Sequence, residues 1–251
     1  MLSAFDTTLL AYLVAVFVLG GLVKGVSGFG MPLVVVPLVA WVTTVPTAVA
    51  LSLLPVVISN LSQAYECRRH YQVLQRVWPL LLGMGMSLAL AVQLLGHFRP
   101  DVLAVIIGGM IQLFVISQLL PNPPLIAQAW QFRTLLGAGI SSGVLGGMTS
   151  FYGFPALQAL LAMNLVRGEF ILASSLLFLL GSLLLGVGLL LQDLVAPSDL
   201  LLSLVLVLPT QVGMWLGAVV RERLSQRMFR AITLAVLSAT GFAMIVRALA
   251  A

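Results

Sequence analysis

The sequence predicts an all-α polytopic membrane protein made of two inverted repeats, each a V-shaped broken helix pair followed by three transmembrane helices. Three observations predict it. The chain is 61% hydrophobic and 8% charged over 251 residues, with a mean hydropathy of +1.16, whereas a soluble domain carries roughly 25% charged residues. Six stretches are apolar for long enough to span a bilayer. A glycine-rich segment closed by proline also occurs twice, as GLVKGVSGFGMPLVVVP at 21–37 and GISSGVLGGMTSFYGFP at 139–155. Gly21, Gly25, Gly28 and Pro37 recur 118 positions later as Gly139, Gly143, Gly146 and Pro155.

A spanning helix needs about 20 mostly apolar residues. Residues 47–65, 77–95, 102–120, 170–191, 200–220 and 231–248 meet this without interruption. Residues 8–42 and 133–165 are equally apolar but are interrupted at 25–32 and 146–155. Glycine costs a helix about 1 kcal/mol and proline about 3 relative to alanine, so each interruption is expected to fold the chain into two helices that enter and leave on one side. The start of the chain has an acid, Asp6, and no basic residue, and reads as a retained first membrane segment. The whole forms a single transmembrane domain, with repeat 1 at about 1–120 and repeat 2 at about 133–251.

Basic residues test this layout through the positive-inside bias. Arg68, Arg69 and Arg76, then Arg133, Arg167, and Arg221, Arg223, Arg227 and Arg230 mark junctions that all fall on one side. The 192–199 loop has aspartates and no Lys or Arg. It falls on the other side, and so do both termini, which places the chain in the cell (inner) membrane with its ends on the non-cytoplasmic side. Arg99 and Arg247 are lone exceptions able to snorkel. One broken pair plus three spans is an odd number of crossings, so the second half runs upside down relative to the first. Gly85-Met86-Ser87-Leu88 against Gly213-Met214-Trp215-Leu216, 128 apart, is a further echo of the repeat.

The same features exclude other classes. A net charge of +5 with arginines at the ends of apolar runs makes no nucleic-acid face. The single cysteine, Cys67, excludes an intramolecular disulfide and a multi-cysteine metal site. His70 and His97 carry no zinc-protease spacing, and no phosphate-binding loop is present. No catalytic residue, metal or cofactor is therefore expected, and the chain reads as a non-enzyme.

Within lipid, broken backbone survives only where protein buries it or where it lines a cavity. Two breaks at matching places in two halves are the sequence pointer to a transporter site. Lys24, the only lysine, sits in the first break, and a cation at bilayer depth costs about 2.5–3.5 kcal/mol unless something offsets it. A bound anion would do so; its repeat counterpart is Ser142, so the charge is one-sided. New half-helices are expected near Met31 and Phe154, with N–H groups turned to the breaks. The candidate substrate-binding set is Lys24, Gly25, Ser27, Gly28, Gly30, Ser142, Gly143, Gly146, Gly147, Thr149 and Ser150 at the breaks, with Asn60 and Gln211 as polar groups inside apolar spans. Each small residue has a plainer role in letting helices approach closely. Met84 and Met86 are expected to pack, and Gln112 and Gln118 to be structural.

The sequence resembles the TauE/SafE family of sulfite-exporter-like membrane proteins. The resemblance rests on Gly25-Val26-Ser27-Gly28-Phe29-Gly30…Pro37, its copy Gly143-Val144-Leu145-Gly146-Gly147…Pro155, and the small-residue spans at 46–52 and 167–175. It covers nearly the whole chain. What it implies is transport of small sulfur-containing anions, sulfite or an organosulfonate, as export by alternating access. The alternatives are a non-transporting assembly or regulatory module and an anion channel. The expected partners are the small anion and the lipid bilayer, with a homodimer as a further possibility.

Overall fold

The computed structural model describes residues 7–93, 100–119, 126–149, 152–223 and 226–250, and every regular element among them is a helix. The first half contains α1 (Thr7–Ser27), α2 (Met31–Ala40), α3 (Val45–Glu66), α4 (Leu74–Ala91) and α5 (Pro100–Leu119). The second contains α6 (Gln131–Thr149), α7 (Ala156–Leu161), α8 (Arg167–Leu191), α9 (Pro197–Arg223) and α10 (Gln226–Ala250). Five of the six predicted spans are present as apolar helices of bilayer length, α3, α4, α5, α8 and α9. The sixth, 231–248, falls in α10, whose apolar stretch is the shorter Leu237–Val246, and α1 is long and apolar enough instead. Among the described residues, six helical stretches are long and apolar enough to cross a membrane: Thr7–Ser27, Val45–Glu66, Arg68–Ala91, Asp101–Leu119, Arg167–Leu191 and Pro197–Val220. The chain is a multi-pass membrane protein.

The breaks are shorter than the sequence predicts. Helix α1 continues through Gly25 to Ser27, and α6 continues through Gly146 and Gly147 to Thr149. A helical glycine costs only about 1 kcal/mol, and close packing on a neighbouring helix offsets it. The chain turns where glycine takes a positive φ, at Gly28 (84°) and Gly30 (93°). Gly30 then caps α2, and Pro32 occupies the first turn, where its missing N–H costs nothing. Helix α2 folds back along α1: Gly20 meets Met31 and Val35, and the Tyr12 hydroxyl donates to the Leu38 carbonyl at 2.8 Å. The second half-helix begins at Ala156, beyond a cis Phe154–Pro155 bond, and is six residues long. It is too short to supply the exposed N-terminus expected near Phe154.

The two halves interlock. Helix α1 lies along α9, and α6 lies along α4; α3 crosses α8, and α5 pairs with α10. Exchanging the halves maps each of these pairings onto another or onto itself. Glycine makes the long contacts possible. A β-carbon on Gly21 would overlap the Thr210 carbonyl oxygen, and one on Gly139 would overlap that of Leu80. Gly213 stands against Val18, and Gly83 against Leu136. Both pairs run parallel, since Val18 and Leu22 meet Gly213 and Gly217 in order, as Leu136 and Gly139 meet Gly83 and Met84. The matching register in α4 and α9 is therefore 130, seen in Pro79, Gly83 and Met84 against Pro209, Gly213 and Met214. This corrects the echo 128 apart: Gly85 faces Leu180, and Met86 points outward at 62% exposure. Met84 packs in the core, and Gln112 bonds Ser238 on α10, both as expected.

These contacts set a measurable contrast within one helix. Gly139→Ala puts a methyl into backbone that cannot move, so it should lower stability by about 1–3 kcal/mol. Gly137→Ala meets nothing within 4 Å and should gain up to about 1 kcal/mol from helix propensity. Thermal melts in detergent check the order; a Gly139→Ala protein as stable as Gly137→Ala contradicts the packing.

One end of the bundle is basic. His70, in the 3-10 turn Arg68–Val73, lies over Gly168, next to Arg167. Trp78 meets Phe132 at a tilt of 55° with ring centroids 5.7 Å apart, bringing Arg76 and Arg133 to the same end. At the far end, Gln192 donates to the Val92 carbonyl at 3.0 Å, so the 192–199 loop lies beside the end of α4. There Asp199 accepts from the Ala196 N–H and opens α9, as Glu169 accepts from Val166 to open α8 at the basic end.

Candidate functional site

Lys24 is buried at 1% exposure, on the face of α1 turned to α3. An ammonium only donates, so the amide facing it must present oxygen. Asn60 does so: Lys24 Nζ donates to Asn60 Oδ1, while Asn60 Nδ2 donates to the Val56 carbonyl at 2.7 Å. That second bond fixes the amide's orientation. Among the described residues no carboxylate pairs with Lys24, and two of its three N–H bonds are left for another acceptor. Asn60 is itself 1% exposed. A cation this far from water is expensive unless it is paired, and among the described residues no side chain bonded to it carries a negative charge.

One helical turn from Asn60 toward the far end, a cavity of about 20 Å³ opens between the two breaks. Pro32 and Val36 of α2, Val49, Ser52 and Val56 of α3, Tyr152 of the second break, and Ser182 of α8 line it. The volume holds about one water, so an oxyanion needs the helices to part. The wall hydroxyls already donate to backbone: Ser52 to Val49 at 2.9 Å, Ser182 to Leu179 at 3.0 Å, and Tyr152 to Phe178 at 3.3 Å. Ammonium, amide and hydroxyls thus follow one another along α3, between α2 and α8.

The other predicted residues divide. Ser142 is fully buried, and its hydroxyl donates to the Tyr152 carbonyl, tying α6 to its own break. Ser27 is committed to its turn, donating to Val23 at 2.7 Å and accepting from the Phe29 N–H at 3.3 Å. Gly28 and Gly30 form the turn itself. Gly25 packs on Met214, Gly143 on Met84 and Ser87, Gly146 on Tyr152, and Gly147 on Ala91 and Val92. Thr149 donates to Leu145 at 2.6 Å. Gln211 is half-buried on α9, and no polar contact joins it to Lys24 or Asn60 among the described residues. Ser150 and His97 lie outside the described residues.

Sequence reasoning passed over Ser182 and the role of Ser52, because serines bonded to their own helix look like packing residues. A usable signal existed in the spacing, since Ser52 and Ser174 lie 122 apart at like positions in α3 and α8, and so do Asn60 and Ser182. Burial and the Glu66 carboxylate push the Cys67 thiol up, against an opposing pull from Arg167.

A family model described as Sulfite exporter TauE/SafE matches residues 13–244. No curated protein and no solved structure matches the chain.

Proposed function

The chain belongs to the Sulfite exporter TauE/SafE family, and from that premise we propose that it is a secondary transporter moving sulfite or a related sulfur oxyanion out of the cell. The observation that carries this reading is the Lys24–Asn60 pair, a buried cation held by an amide with no carboxylate bonded to it among the described residues. An anion entering beside Lys24 supplies the missing charge and accepts the two remaining N–H bonds. Tyr152, Ser52 and Ser182 reach the anion once the cavity opens and their hydroxyls turn from the backbone. The basic end faces the cytoplasm by the positive-inside bias, so the protein sits in the cytoplasmic membrane with both termini on the other side.

The two halves work as inverted repeats that expose the site to each side in turn. The exchange symmetry of α1 on α9 and α6 on α4, together with the matched registers of 118 and 130, supports this. Export needs no coupling ion, because an anion leaving a negative interior gains about 2.3 kcal/mol per charge per 100 mV. Counterflow of labelled sulfite in proteoliposomes tests the reading. Saturable exchange, competed by thiosulfate or sulfoacetate and not by acetate, is the expected result. No flux of any sulfur oxyanion from folded protein in both orientations ends it.

A further inference from the structure

Two contacts lie between Lys24 and the basic end, and neither belongs to the cavity wall. The nearer joins α3 to α8: the Ser175 hydroxyl donates to Gln63 Oε1 at 3.3 Å, and both residues are buried. Gln63 follows Asn60 by about one helical turn, so this bridge lies directly beyond the Lys24 pair. Farther out, Phe29 from the first break stands edge-on to Phe170 in the first turn of α8. Their ring centroids are 5.6 Å apart, and the rings are inclined at 77°. Gly28 rests against Ile171 beside them. From Phe170 to Ser175 is about 7–8 Å of helical rise, so the two contacts form successive layers.

The far side of the site is bounded differently, by Tyr152 against Phe178 and by Leu53 against Gly186. The antiparallel register of α3 and α8 orders everything along one line. Gln63 sits level with Ser175, Val56 with Ser182 across the cavity, and Leu53 with Gly186. Lys24 and Asn60 therefore lie between the basic-end layers and the cavity.

We propose that Phe29–Phe170 and Gln63–Ser175 form a two-layer gate that closes the route from the basic end to Lys24, and that the structure is the state shut toward that end. This rests on the reading of Lys24 as the anion site. The layers differ in what they must do to open. Phe29 is the middle residue of the three-residue link Gly28–Phe29–Gly30, whose two glycines are at positive φ, so it is carried on a turn able to pivot without unwinding a helix. Phe170 is fixed in α8. The Gln63–Ser175 bridge is a single neutral hydrogen bond between two helices, which breaks when α3 and α8 separate. One swing of the first break releases the aromatic layer, and one parting of α3 from α8 releases the other.

Thiol labelling tests the gate without any substrate. In a Cys67→Ser background, Ser52→Cys places a reporter in the cavity, and a membrane-impermeant sulfonated methanethiosulfonate is added to sealed vesicles from one side at a time. Phe29→Ala and Phe170→Ala should each speed labelling from the basic side by about ten-fold, the change expected when a minor open state becomes common. Labelling from the far side should hold or slow. Gln63→Leu should act in the same direction and leaves the aromatic layer in place, which covers a Phe29→Ala protein that does not fold. Basic-side rates equal to the parent's in folded Phe170→Ala and Gln63→Leu overturn the gate. Because no sulfite is present, that outcome is independent of the counterflow result above.

Discussion

Lys24→Met should abolish sulfite counterflow while leaving the protein folded. Losing one partner of a buried charge pair costs about 2–5 kcal/mol in binding, which is roughly a 30- to 4,000-fold loss at 1.4 kcal/mol per decade. Stability moves by less, because two effects oppose each other. Replacing a buried charge by an apolar side chain of similar length is neutral to stabilising by about 1–4 kcal/mol. Asn60 Oδ1 loses its donor, however, and an orphaned buried acceptor costs about 1–3 kcal/mol. The single variant should therefore melt close to the parent. Lys24→Met with Asn60→Leu removes both polar groups, and should melt higher by about 1–4 kcal/mol at two to four degrees per kcal/mol. Melting and counterflow on the same preparations read both signs. Full flux in Lys24→Met reduces the lysine to a structural role, and a large loss of stability in the double variant shows that the pair is held for the fold.

Asn60→Asp should be as damaging to transport as loss of the lysine, for the opposite reason. The two side chains are nearly the same shape, so the carboxylate takes the amide's place against Lys24 Nζ. A carboxylate there is an anion that never leaves. It satisfies the ammonium permanently, and an incoming sulfite meets a neutral pair and a like charge. The ion pair gains at Lys24 while the carboxylate loses the amide's donation to the Val56 carbonyl, so thermal stability should stay near the parent's. Asn60→Ser, which adds no charge and keeps a hydroxyl acceptor, should keep measurable flux. Sulfite exchange in Asn60→Asp at the parent's rate would falsify the placing of the anion at this pair.

Much of this was readable from the chain, for physical reasons that differ by element. Apolar runs of bilayer length name the spans because lipid leaves few alternatives, and α3, α4, α5, α8 and α9 appear where composition puts them. Lys24 was conspicuous because a lone charge in an apolar run is expensive. Its partner was not. Asn60 and Gln211 are both amides inside spans, and only the rotation of α3 and α9 about their axes separates them: Asn60 turns to α1, and Gln211 stays half-exposed.

The glycine breaks were overread for a related reason. A glycine count cannot tell a turn from a contact, and here Gly28 and Gly30 turn the chain while Gly21, Gly25, Gly139 and Gly143 admit a neighbouring backbone. The false register of 128 came from one tetrapeptide, whereas the true one shows in spaced residues, Pro79 with Gly83 and Pro209 with Gly213. The shortness of α7 had no glycine to announce it; Asn164, at a positive φ of 51°, follows it where the chain turns toward α8.

The pairing of α1 with α9 has a consequence for how the chain is made. A ribosome delivers residues in order, and roughly 170 of them separate the end of α1 from the start of α9. At about 5–20 residues per second that is on the order of 10–30 s. During this interval Gly21 and Gly25 of α1 await the α9 backbone that packs on them. Asn60 is made far sooner, on α3, so the acceptor for Lys24 is available while the rest of the protein is still being synthesised. The amide that bonds Lys24 in the folded protein would then also keep it in place during biogenesis.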